Sequence, residues 1–135
     1  MKSALFPLLL LSALASGEIG EKYEDFAARM GKPISVDQKD GATMAEFKAD
    51  GYHVFAVVLD GVIVSQIYSE VDLATAEKLV KNHVNGVLVP TKRVAAGVVW
   101  QSADGKYRAT FEAKIKALMV HDWPIYSTRL RKGTR

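Results

Sequence analysis

The chain has 135 residues, with 18 basic and 15 acidic side chains, a formal charge of +3 and no cysteine. Disulfides and cysteine-ligated metal sites are thereby excluded. Arg129, Arg131, Lys132 and Arg135 supply four positive charges near the end, so the body is almost neutral and lacks the basic stripe of a nucleic-acid binder.

Lys2 is followed by an apolar run over 4–14. That run is well short of the roughly 20 residues that span a bilayer, and it matches the core of an export signal. Ala13 and Ala15 are the small residues that a signal peptidase accepts, so the reading is a signal peptide over 1–15 cut after Ala15, with Gly17 as a second site. The expected destination is the periplasm or the exterior, with no stable membrane anchor after cleavage. About 120 residues then remain, enough for one domain held together by its own core. This domain is expected over 18–126, with 127–135 as a basic flexible tail.

Glu18 to Met30 reads as an amphipathic helix. Tyr23, Phe26, Ala27 and Met30 fall on one stripe, and Gly31 and Pro33 end it. Between 43 and 68, Asp50-Gly51 and Asp60-Gly61 separate three β-type runs, the pattern of two tight hairpins. Counting outward from the turns pairs Ala49 with Tyr52, Phe47 with Val54, Leu59 with Val62 and Val54 with Ile67. One face then carries Ala45, Phe47, Tyr52, Val54, Ala56, Val58, Ile63 and Ile67 as the core. The other carries Glu46, Lys48, His53 and Gln66 together with Phe55, Val57, Leu59, Val62 and Val64, and needs later strands or a partner to cover it.

A second helix is expected from Asp72 as N-cap, with Leu73, Ala76, Leu79, Val80 and Val84 inward and Asn85-Gly86 as its end. A hairpin follows, Val98 to Ser102 and Lys106 to Phe111, turning at Asp104-Gly105. A last strand is placed at Leu118 to His121. The fold class expected is α+β, an antiparallel meander with two helices packed on one face, in the order α-β-β-β-α-β-β with a further strand. A helix followed by Asp-Gly hairpins occurs twice, which suggests two half-repeats.

The stretch Ala28-Arg29-Met30-Gly31-Lys32-Pro33, followed by a meander whose middle strand runs into Val58-Leu59-Asp60-Gly61-Val62-Ile63, resembles small bacterial envelope domains over residues 19–68. These are the SmpA/OmlA outer-membrane assembly lipoproteins and the β-lactamase-inhibitor-like domains. The resemblance implies a non-enzymatic scaffold that binds another envelope protein through its sheet face.

No catalytic or metal constellation emerges from the residues. His53, His83 and His121 have no spacing that would place two imidazoles on one ion, and no glycine-rich phosphate loop or nucleophile elbow is present. His121 and Asp122, as strand neighbours, point to opposite faces and form no oriented base. No cofactor is expected, and the protein is read as not an enzyme. Phe55, Val57, Tyr68, Trp100 and Trp123 are the candidate partner surface, since large aromatic and apolar side chains anchor interfaces. The partner expected is another envelope protein, with weak contact between the tail and an anionic surface in addition. The alternative is a small-ligand binder or minor enzyme, with its pocket between helix and sheet near Tyr52, His53 or Trp100.

Burying Phe26 and Met30 is worth roughly 1.5–3 kcal/mol each. Phe26→Asp is therefore expected to abolish cooperative thermal unfolding. A variant that melts like wild type shows that the first helix does not dock.

Overall fold

The computed structural model describes residues 19–49, 51–83 and 88–130. The expected export signal over 1–15, Asp50, Val84, the expected helix end at Asn85-Gly86 and the last five residues of the expected tail lie outside the described residues.

Helix α1 spans Tyr23–Met30, and four strands follow: β1 (Ser35–Lys39), β2 (Ala42–Ala49), β3 (Tyr52–Leu59) and β4 (Val62–Ser69). Helix α2 (Leu73–Asn82) precedes four more: β5 (Val89–Val94), β6 (Gly97–Gln101), β7 (Tyr107–Glu112) and β8 (Ala117–Asp122). A short helix α3 (Trp123–Ile125) runs into one π-helical turn over Tyr126–Leu130. All eight strands form one antiparallel sheet in the order β1-β2-β3-β4-β8-β7-β6-β5. The expected two-helix meander is thus corrected: β1 and β5 are additional strands, and the whole is a single eight-stranded sheet with three short helices.

Several helix starts and turns have a local cause. The Asp72 carboxylate accepts a hydrogen bond from Thr75 N at 2.8 Å and caps α2. Asp60 (φ 51°) and Gly61 (φ 77°) both adopt positive φ, as a two-residue type I′ hairpin requires. Asp40 (φ 52°) and Gly41 (φ 81°) do the same between β1 and β2. Gly31 ends α1 at φ 88° and ψ −162°, a conformation open essentially to glycine alone. Pro90 sits in β5 at the edge of the sheet, where a missing N–H disrupts no inner ladder.

The core lies on one face of the sheet. Phe26 meets Phe47 edge to face at 5.2 Å, and Ala76, Leu79 and Val80 of α2 join the same cluster as Val98, Trp100, Phe111, Leu118 and Val120. Ile19, before α1, is also buried there, held by Gly20 N donating to Ile63 O at 2.7 Å.

The register of β2 on β3 pairs Ala49 with Tyr52 and Phe47 with Val54. On the next hairpin Leu59 faces Val62 and Val58 faces Ile63, but Val57 then faces Ser65. Val64 is an extra residue, a β-bulge. Beyond it Val54 faces Tyr68, not Ile67 as counting from the turn implied. Because side chains alternate with a period of two, this single residue exchanges the faces of the rest of β4. Gln66 and Tyr68 turn into the core, whereas Ser65 and Ile67 turn to the opposite face. The Tyr68 hydroxyl donates to Gln66 Oε1 and lies 2.8 Å from His83 Nε2, which donates to it in turn. Gln66 Nε2 and His83 Nδ1 are buried without a protein partner.

The bulge can be tested by charge. Tyr68→Glu is expected to abolish cooperative unfolding, and Ile67→Glu to lower the urea midpoint only slightly. The reverse ranking is what an unbulged strand would give.

Candidate functional site: the open face of the sheet

Opposite the helices, directly paired residues form rows that cross the sheet. The central row is Ser35, Glu46, Phe55, Ile67, Met119, Thr110, Val99 and Lys92. Its middle is apolar, and Phe55, Ile67, Met119 and Val99 are each only half-buried. At one end, Glu46 Oε2 and His53 Nδ1 approach to 2.5 Å, and Ser35 Oγ donates to Glu46 Oε1 at 3.2 Å.

The adjacent row is Asp37, Met44, Val57, Ser65, His121, Arg108 and Gln101. Here the C-terminal segment folds back over the sheet. Ile125 and Leu130 pack on Val57, Leu59 and Val64, and Tyr126 stacks on the His121 ring at 3.8 Å between centroids. Trp123 stacks beside Tyr126 at 5.7 Å, and the Arg108 guanidinium lies 4.4 Å above Trp123. Residues 127–130, expected to begin a flexible tail, are therefore helical, and Leu130 is anchored.

A cleft of about 570 Å³ opens between this segment and the β1–β2 hairpin. Its floor is Ala42, Met44, Val57, Ser65, Ile67 and His121. Asp37, Gln38, Lys39 and Asp40 form one wall, and Tyr126, Arg129 and Leu130 the other. Ser65 Oγ and His121 Nδ1 are 2.5 Å apart and both buried. Burial, and secondarily the Arg108 charge, push the His121 imidazole down to about 4, so it is neutral at neutral pH. Asp122 is turned away and accepts from Ile125 N at 3.1 Å as the cap of α3. The pair is thus two-membered, a hydroxyl and an imidazole that satisfy each other, with no orienting carboxylate bonded to it among the described residues. No group of three or more His, Asp or Glu is placed to hold a metal ion among the described residues. No helix among them is long and apolar enough to cross a membrane.

The residues singled out from the sequence divide between the two faces. Phe55 and Trp123 are half-buried on the open side, and Val57 lies under the C-terminal turn while lining the cleft. Tyr68 and Trp100 are corrected: both are buried in the core beneath the helices, Tyr68 because of the bulge and Trp100 because β6 directs it inward with Val98. His53 lies on the open face, opposite the helices, and Tyr52 packs against Tyr68 at 5.8 Å. Ser65 was not singled out, and Arg129 was read only as a charge of the tail. A lone serine in a valine-rich strand was the available signal, but only the β4–β8 pairing brings it to His121.

No protein family model and no curated protein matches the chain. Among solved structures it is similar in fold to a cysteine-rich secretory protein from Staphylococcus aureus, at 12% identity and a TM-score of 0.50, over 81% of this chain and 46% of that one. It also aligns with an extracellular protein containing an SCP domain from Bacillus anthracis, at 13% identity and a TM-score of 0.49, over 83% of this chain and 46% of that one. A DUF4309 family protein from Bacillus subtilis aligns at 11% identity and a TM-score of 0.43, over 76% and 78%. The chain spans just under half the length of the first two. None of the three is of the outer-membrane assembly or β-lactamase-inhibitor type.

The buried imidazoles give the molecule an acid limit. Burial also pushes His83 down to about 4. Unfolded histidine takes up its proton near 6.5, so between these values the unfolded chain binds more protons and stability falls as pH falls. Each group then costs on the order of a few kcal/mol by pH 4. The urea midpoint is expected to be flat above about pH 7 and to drop between pH 6.5 and 5. Most of that drop disappears in a His83→Gln/His121→Gln double variant, and an unchanged slope there would mean that the imidazoles titrate normally.

Proposed function

We propose that this is an exported, non-enzymatic binding protein whose recognition surface is the open face of the sheet. Export rests on the leader pattern of 1–15, Lys2, the apolar run and Ala13-x-Ala15. The observation that carries the binding reading is the central row, where Phe55, Ile67 and Met119 on three neighbouring strands, and Val99 beyond Thr110 on β6, form an apolar band, half-buried and flanked by charge. Apolar side chains ringed by polar ones are the anatomy of an interface core with its rim. A protein of the cell envelope is the partner this reading favours.

Non-enzymatic action is supported by the chemistry of the buried polar pair in the cleft floor. Ser65 and His121 use their hydrogen bond to satisfy each other in a buried place, and a serine nucleophile needs in addition a group that orients its base and a donor for the oxyanion.

The test compares immobilised protein with a Phe55→Glu/Met119→Glu double variant of matched melting temperature, each presented with envelope extract. Wild type is expected to retain a partner that the double variant loses and that Val94→Glu, on the outer edge strand, keeps. Identical retention by wild type and the double variant refutes the open face as the recognition surface.

A further inference from the structure

We infer that the cleft at the end of the open face binds an uncharged, mainly apolar small molecule carrying one hydroxyl or carbonyl group. The inference deepens the reading of the open face as the recognition surface and rests on it.

Size is the first argument. About 570 Å³ lies within the range of roughly 300–1,000 Å³ typical of small-molecule sites. It is walled on two sides, by the β1–β2 hairpin and by the C-terminal turn.

Charge is the second. Asp37 and Asp40 are balanced by Lys39 and Arg129, and all four are exposed on the walls rather than set in the floor. Between these walls the floor is largely apolar, with Val57 and Ile67 at its centre. A carboxylate or ammonium entering it would lose water and find no net counter-charge in the lining, Arg108 being held over Trp123 outside it, and that desolvation is costly. An apolar body loses nothing comparable and gains by leaving water.

The hydrogen-bonding inventory of the floor is the third. Ser65 and the neutral His121 share one proton between Oγ and Nδ1. With Ser65 as donor, its oxygen keeps lone pairs that accept from a ligand hydroxyl. With Nδ1–H as donor, the serine proton is free for a ligand carbonyl. The pair can therefore serve either group, but it offers no fixed charge to an ionic head. Tyr126, stacked on His121, closes the site from the side.

The experiment titrates purified protein at neutral pH with the uncharged dye Nile red, then displaces the dye with dodecanol, dodecanoate or dodecylammonium below their aggregation limits. Saturable single-site binding is expected, with dodecanol displacing the dye at about tenfold lower concentration than either ion. Ile67→Trp, which fills the cleft, is expected to weaken binding at least about tenfold, and Met44→Trp, at an exposed position on the floor, serves if that variant fails to fold. Val99→Trp, on the same face but outside the cleft, leaves binding unchanged, and Ser65→Ala removes most of the preference for the alcohol. No saturable binding, equal displacement by the ions, loss of binding in Val99→Trp, or displacement only by dimerisation of the chain would each overturn the inference. Partner capture that still depends on Phe55 and Met119 would in that case leave the open-face reading standing.

Discussion

The extra residue at Val64 decides what this protein presents to its surroundings. A strand that begins at the Asp60-Gly61 turn with Ile63 inward would, if regular, continue with Ser65, Ile67 and Ser69 inward and would leave Gln66 and Tyr68 outside. The bulge reverses this after one turn of the pleat. Tyr68, the largest fully buried side chain, becomes a core anchor, and its hydroxyl ties Gln66 to His83 at the end of α2. In exchange Ser65 and Ile67 appear on the open face, where β8 supplies His121 and Met119 opposite them. The polar core cluster and the cleft floor are thus two sides of one irregularity. Burial keeps the Tyr68 hydroxyl protonated, with Tyr52 adding to the effect, so the inner cluster stays a neutral network.

The sheet is assembled from two similar units, each a helix followed by a four-stranded meander. They are joined where β4 meets β8, and strand order runs outward from that seam in both directions. The units are not equivalent in chemistry. On the core side of the seam β4 contributes Gln66 and Tyr68, while the facing residues of β8 are Val120 and Leu118. The C-terminal turn exists at one end only and creates the cleft there. The outer edges differ as well: β5 carries Pro90, Lys92, Arg93 and a bulge, devices that discourage further strand addition, whereas β1 is short and charged.

Much of the first unit was legible in the sequence, because its turns are chemically explicit. Asp50-Gly51 and Asp60-Gly61 set the hairpins, and a third pair at Asp40-Gly41, ten residues earlier, marks β1 in the same way although it was not used. Asp72 announced α2 through its capping carboxylate. Less could be read where the deciding contacts are remote. A bulge has no turn residue to announce it, so Tyr68 and Ile67 were assigned to the wrong faces. Pro90 signals a loop unless the strand is known to be an edge, which depends on the order of the whole sheet. The Ser65–His121 pair depends on β4 finding β8, and no local pattern encodes that meeting.

That seam also governs how the molecule is built in time. Every pairing other than β4 with β8 joins strands adjacent in sequence, so each meander can form with little loop-closure entropy. The seam alone brings together segments about fifty residues apart. Until it closes, each unit displays a ready-made inner edge, with β4 or β8 unpaired, and the nearest complementary edge need not belong to the same chain. Reciprocal exchange of whole units between two chains would reproduce every strand pairing of the monomer. The same simplicity that lets the halves form quickly therefore makes the last, non-local step the one at which a crowded surrounding would matter most.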